Sequence, residues 1–303
     1  MEKKNVNKKG VLLTLLGGIC WGISGCFGQY LFQQKEANAQ WLVSVRLLTA
    51  GILLLAIGYL VRGKELNQIL RVKEDRKKIL LFSLFGMLFC QFFYFAAVEY
   101  TNAGTATVLQ SLAPFVILSF VCIRKKRLPK RGEICGVLAA VGGVFLLSTH
   151  GNIHSMQLTG AGLLLGLMAA VGAACYNLLV SDILRRYGVY PVVGFGMLFG
   201  GIILAVLARP WRYSVIWDWQ TVMCLFGVIV IGTAIAFCLY LKGVSMVGPF
   251  MASLLGTIEP VTAIIVSFVF LGADFKWIDV VGFAMILGTV VLMSLGTSGI
   301  EME

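Results

Sequence analysis

Val247 to Gly272 reads VGPFMASLLGTIEPVTAIIVSFVFLG, an apolar span with one acid, Glu259, in its middle and Pro260 directly after it. A carboxylate at the centre of a lipid-spanning helix costs about 2.5–3.5 kcal/mol on insertion scales, so it normally faces the protein interior, a partner or a water-filled path. Proline removes a backbone donor and breaks the helical ladder one turn earlier. The pair therefore predicts a freed carbonyl near Gly256, in a place where irregular backbone is tolerated only if packed in protein or lining a cavity.

Working outward, Thr101 to Ile123, TNAGTATVLQSLAPFVILSFVCI, aligns with this span without gaps when Pro114 is placed on Pro260. The same shift of 146 residues puts Gly86 on Gly232, Tyr94 on Tyr240, Ala106 on Ala252, Leu109 on Leu255, Glu133 on Asp279 and Gly136 on Gly282. One shift that holds across three successive apolar spans is the signature of a duplicated membrane unit. The division falls at 1–149 and 150–303.

Composition sets the solvent. Of 303 residues, 59% are hydrophobic and 13% charged, against about 25% charged in a soluble domain, so the chain is a polytopic membrane protein. Spans of about 20 apolar residues predict helices near 10–33, 41–61, 79–98, 102–123, 132–149, 160–183, 190–208, 219–241, 247–271 and 277–296. The fold class is thus an all-α membrane protein of ten transmembrane helices, five per half.

The formal charge of +11 does not point to nucleic acid, because the basic residues sit in short connections between spans. Placing the N-terminus inside gathers Lys3, Lys4, Lys8, Lys9, the Arg62–Lys78 and Arg124–Arg131 clusters, Arg185, Arg186 and Lys242 on the cytoplasmic side. It leaves Lys35, Arg209, Arg212 and Lys276 outside. The positive-inside rule then sets both termini in the cytoplasm. With five helices per half, the second half enters from the opposite face and the repeats are inverted. Trp211, Tyr213, Trp217 and Trp219 read as interfacial anchors on the outer side.

The N-terminal lysines followed by an apolar run imitate a secretory leader, and Ile23-Ser24-Gly25-Cys26 imitates a lipoprotein cleavage box. The run continues through Leu31, longer than a leader's 7–15 apolar residues, so it reads as an uncleaved first helix. The eight cysteines fall inside apolar spans with no CxxC pair and read as packing residues. His150 and His154 lie in a connection with no third ligand, so no metal is expected, and no cofactor.

Inverted repeats set matching kinked helices opposite one another near the midplane, where secondary transporters bind substrate. Here these are the fourth and ninth helices, with kinks at Pro114 and Pro260. Ser253, Gly256, Thr257 and Pro260 recur at helical spacing, as do Ala106, Thr107, Gln110, Ser111 and Pro114. Such stripes serve close helix packing as readily as a cavity. Further cavity candidates are Trp21 and Ser24, Gln91 and Tyr94 on one face, Tyr176 and Asn177, and Thr233 and Tyr240, besides Glu259. Together they suit a small organic molecule with a polar head and an apolar body. Arg46 lies roughly 7 Å below the outer surface at 1.5 Å per residue. It either snorkels outward without a partner, pairs with Glu259, or reads a substrate carboxylate. Glu259 is accordingly either a coupling acid, carrying a proton or meeting a substrate ammonium, or a structural lock on Arg46.

Trp21-Gly22, Arg46 early in the second helix, the Ala-rich fourth and ninth helices running into Pro114 and Glu259-Pro260, and Leu271-Gly272 before a tenth helix bearing Gly282 together resemble the drug/metabolite transporter superfamily, EamA type. The resemblance covers residues 11–148 and 160–296. It implies a bacterial inner-membrane carrier with a central cavity between its halves, many of its relatives exporting amino acids or related metabolites. Where such proteins often carry Gly-Glu at the ends of the fourth and ninth helices, this chain has Lys125-Lys126 and Gly272-Ala273-Asp274, so no role of that acid carries over.

The expected function is a secondary transporter of the cytoplasmic membrane, an amino-acid-like exporter working by alternating access, with a small-molecule substrate and the bilayer as partners. The alternatives are an importer, a multidrug exporter of organic cations, or a non-transport membrane protein. No Walker A loop for ATP occurs. An enzyme is disfavoured because a lone intramembrane acid lacks the partner that acid–base chemistry needs.

Overall fold

The computed structural model describes residues 7–101, 103–155, 159–271 and 276–295. Lys3, Lys4, Gly272, Ala273 and Asp274, used in the reading above, lie outside the described residues. Ten helices follow in order. α1 is Lys8–Gln34, α2 Ala39–Arg62, α3 Lys73–Tyr100, and α4 runs in two pieces, Ala103–Gln110 and Ala113–Arg124. α5 is Arg131–Thr149, α6 Gly160–Tyr187, α7 Val189–Ala208 and α8 Trp219–Val247. α9 has the pieces Pro249–Leu255 and Ile258–Leu271, and α10 is Trp277–Leu295. Among the described residues seven helices are long and apolar enough to cross a membrane by length and composition.

The leader-like stretch is one continuous helix through Cys26, started by the Asn7 side chain accepting from the Gly10 N–H. Its glycines explain its partners. A Cβ at Gly17 would lie 2.7 Å from the Tyr240 Cβ, and one at Gly22 would lie 2.5 Å from the Glu259 carbonyl oxygen. Small residues permit such backbone approach, which is what holds membrane helices together when lipid offers no hydrophobic drive. Thus α1 packs on α8 and α9, both in the other half, while α6 packs on α3 and α4. α2 lies against α7 and α5 against α10. Each half hands its first helix to the other.

The duplication extends to backbone irregularities. α3 holds a π-helical stretch, Phe82–Leu88, and α8 holds one at Gly227–Ile235, at matching positions under the 146-residue shift. α4 is interrupted at Ser111-Leu112 and α9 at Gly256-Thr257, one turn or less before the prolines. Ser111 donates to the Val108 carbonyl at 2.6 Å and Thr257 to the Leu254 carbonyl at 2.6 Å, a pair of contacts that the same shift superposes. The freed Gly256 carbonyl expected from the sequence is not left open. It accepts from the Glu259 N–H at 3.0 Å, the tighter spacing that commonly repairs a broken helix end. Gly248 takes φ 85° between α8 and α9, a left-handed conformation that a side chain there would strain.

Two ion pairs occupy related places at opposite ends of the bundle. Lys35, just after α1, donates to Asp218, the N-cap of α8, and to Gln220 at 2.8 Å. At the other end, Arg186 and Tyr187, at the foot of α6, donate to Asp75 in α3 at 2.7 and 2.6 Å. Lys35, one of the few charges that the positive-inside reading leaves outside, is only 7% exposed. The Lys35 ammonium, then the Thr221 N–H, hold the Asp218 carboxyl down at about 2. A depressed folded pKa means that this pair stabilises the fold above the unfolded value of about 3.9 and that the contribution fades as pH falls toward 2. The thermal midpoint of the native protein should therefore fall more steeply between about pH 4 and 2 than that of Asp218→Asn, measured side by side in detergent.

Candidate functional site

The two broken helices meet α1, α2, α3, α6 and α8 around one cavity of about 100 Å³, lined by residues of both halves. Of the residues singled out in the sequence, Trp21, Ser24, Arg46, Gln91, Tyr94, Gln110, Pro114, Tyr176, Asn177, Tyr240, Ser253, Thr257, Glu259 and Pro260 all line it. Thr233 does not. It is fully buried behind Arg46.

One wall is aromatic. The Trp21 ring centre lies 4.6 Å from that of Tyr240, 4.9 Å from Phe237 and 6.5 Å from Tyr176. These offset and edge-on arrangements are the favourable ones for aromatic rings. The Tyr240 hydroxyl donates to Asn177 Oδ1 at 3.2 Å, and Asn177 Nδ2 donates to the Ala173 carbonyl at 2.8 Å. Opposite, the Tyr94 hydroxyl shares a 3.2 Å hydrogen bond with Thr107, and Gln110 donates to the Cys90 sulfur at 3.6 Å. Ser253 turns back to its own helix, donating to the Phe250 carbonyl at 2.8 Å.

Arg46 does not snorkel outward. Only 2% exposed, it turns inward, with Nε donating to the Thr233 hydroxyl at 3.0 Å and Nη2 to the Gly232 carbonyl at 3.4 Å. Its guanidinium stands 4.8 Å from the Phe95 ring centre, a cation–π placement. The π-helical stretch of α8 makes this possible. Thr233 donates to the Val228 carbonyl, five residues back, at 2.7 Å. This widened turn presents both the hydroxyl and the Gly232 carbonyl to the guanidinium, offsetting the loss of water. Single π turns of this kind recur at functional sites.

Glu259 lines the same cavity, and no ion pair joins it to Arg46 among the described residues. A guanidinium has five donors, and Arg46 commits two of them to α8. Gln91, 6% exposed, carries an Nε2 with no hydrogen-bond partner. A buried donor left unpaired costs about 1–3 kcal/mol, so its survival calls for a reason. The cavity therefore offers a cation, a carboxylate and an unused amide to whatever enters it.

Sequence reasoning missed Phe95, which shares the face of Gln91 and Tyr94 at one-turn spacing, and Phe237, which the repeat places on Gln91. It also missed Cys90 and Gly25. Among the described residues no group of three His, Cys, Asp or Glu side chains comes together. His150, read as a loop residue, contacts Asp279 at 2.9 Å and ties α5 to α10.

The model of the EamA-like transporter family matches residues 8–149 and 160–295. A protein of Salmonella typhimurium, named as the uncharacterized inner membrane transporter YicL, is 35% identical over 288 residues, 95% of this chain and 96% of its own length. The threonine/homoserine exporter RhtA of Escherichia coli is 23% identical over 230 residues, 75% of this chain and 72% of its own. One solved structure superposes with a TM-score of 0.75 at 18% identity, over 94% of this chain and 96% of that one, a likeness of fold.

Proposed function

Because the chain belongs to the EamA-like transporter family, and is therefore a membrane transporter rather than an enzyme, we propose that it exports a small amino-acid-like metabolite across the cytoplasmic membrane by alternating access. The observation that carries this reading is the cavity itself, with Arg46 from the first half and Glu259 from the second facing it without pairing. A zwitterion answers both. Its carboxylate meets the remaining donors of Arg46 and its ammonium meets Glu259, which charge-assisted hydrogen bonds favour. Trp21, Tyr240 and Tyr176 supply the apolar wall.

Size supports a small metabolite over a bulky drug. The cavity, at about 100 Å³, is well below the roughly 300–1,000 Å³ of pockets that hold drug-sized ligands. The inner membrane and the outward direction rest on the names of YicL and RhtA, and cytoplasmic termini rest on the Lys and Arg asymmetry. The units that rock against one another are 1–149 and 150–303, with Pro114 and Pro260 keeping the broken backbone at the cavity.

The free Gln91 amide favours a substrate whose side chain accepts a hydrogen bond. In liposomes holding the purified protein, L-threonine should exchange faster than in protein-free liposomes. It should be preferred over its isostere L-valine by about tenfold, and Gln91→Leu should erase that preference. If no α-amino acid exchanges, the amino-acid reading is wrong.

A further inference from the structure

A larger hollow lies away from the cavity, on the outer surface of the bundle between the second piece of α4 and α5. It has a volume of about 650 Å³. Its floor is buried Leu118, Cys122 and Val137, and its rims are the exposed Phe115, Ile123 and Leu138. At one end it closes under the α4–α5 turn, where Lys126 and Arg127 line it. We infer that this groove is a binding site for an anionic phospholipid of the cytoplasmic leaflet, its acyl chain along the groove and its phosphate at Lys126.

Length favours one lipid tail. From Lys126 back to Phe115 the wall runs about 16 Å at 1.5 Å per residue, close to half of a hydrocarbon core about 30 Å thick. A helix of a second copy would instead need a seam running the full depth of the membrane, whereas α4 breaks just beyond Phe115, at Ser111-Leu112.

Charge favours an anionic head group. The turn from Arg124 to Arg131 carries six Lys and Arg residues, and Glu133, the acid that follows it in the sequence, is taken. It accepts from Arg127 Nη1 at 2.8 Å and Nη2 at 2.6 Å, and from the Lys130 N–H at 2.7 Å. This bidentate clasp fixes the turn and leaves Lys126, exposed and held at φ 48°, standing at the mouth of the groove. Basic pockets between helices at the cytoplasmic surface are where acidic lipid head groups settle. The inference uses the orientation proposed above, which puts this turn in the cytoplasm; it is independent of what the central cavity transports.

The test compares the purified full chain with phosphatidylglycerol and with phosphatidylcholine, scoring retained lipid by native mass spectrometry. The native protein should retain phosphatidylglycerol preferentially. Lys126→Gln, an exposed position whose change leaves folding alone, should lower that retention about fivefold, the effect of one basic residue near a membrane surface. Ser119→Phe fills the groove and keeps every charge, and should reduce retention of both lipids. Equal retention of the two lipids by the native protein, or an unchanged Lys126→Gln, would overturn the inference. A dimer in detergent that Ser119→Phe dissociates would overturn it in favour of a second copy.

Discussion

Glu259→Gln, reconstituted in liposomes, is expected to bind and move its substrate at least tenfold more weakly than the native protein and to lose the pH dependence of transport. The exchange keeps the shape of the side chain and its place at the break of α9, so the helix geometry is preserved. What it removes is the carboxylate facing the cavity without an ion-pair partner. A lone charge at that depth is expensive, and a substrate ammonium or a proton arriving from the cavity is what relieves it. A charge-assisted hydrogen bond to a ligand is worth about 1.5–3 kcal/mol, hence roughly ten- to a hundredfold in affinity. Were Glu259 a lock on Arg46, the variant would lose thermal stability instead and keep its affinity and pH profile. Measuring both separates the two roles, and unchanged affinity with unchanged pH dependence removes Glu259 from the coupling mechanism.

The second large effect concerns α1. Gly22→Val should strip the folded protein from the membrane fraction or lower its melting temperature by several degrees, while Gly25→Ala three residues on should leave stability intact. A Cβ at Gly22 meets the Glu259 carbonyl oxygen at 2.5 Å, the Thr262 Cβ at 2.7 Å and the Ala263 amide nitrogen at 3.0 Å. Two of these are backbone atoms, which cannot swing aside as a flexible side chain would. Overpacking of this kind typically costs about 1–3 kcal/mol, and a rigid obstacle puts it toward the upper end. A Cβ at Gly25 meets nothing within 4 Å, since that glycine faces the cavity. Fluorescence-monitored melting of the two variants in one detergent decides the matter. Equal midpoints would mean that α1 and α9 are not held as closely as described.

What could be read in the sequence, and what could not, follows from the range of the forces involved. The ten helices were legible because apolar runs of similar length, punctuated by charged connections, mark each of them, and seven of the ten are long and apolar enough to cross a membrane among the described residues. The two breaks were legible because Pro114 and Pro260 are local causes standing at one repeat distance. The π-helical stretches were not: Phe82–Leu88 and Gly227–Ile235 contain nothing that marks a widened turn, and their cause is the packing around them. Which way Arg46 turns was hidden for the same reason. Snorkelling is the local default for an arginine near a helix end, and only the carbonyl and hydroxyl offered by α8 make the inward fold cheaper. Thr233 shows the converse error. It stood among the cavity candidates as a polar residue in an apolar span, which does not say whether a hydroxyl faces the cavity or stands behind the residue that does. Helix pairing was also hidden, since a glycine stripe on α1 announces close contact without naming the partner.

The exchange of first helices has a consequence for how the chain is made. α1 is finished early in synthesis, but its partners on α8 and α9 emerge roughly 200 residues later. At about 5–20 residues per second that interval is on the order of 10–40 seconds. Throughout it, the glycine-lined face of α1 has only lipid or the insertion machinery against it. The ribosome must pass α8 and α9 before the first helix finds its seat, so that seam of the bundle closes late.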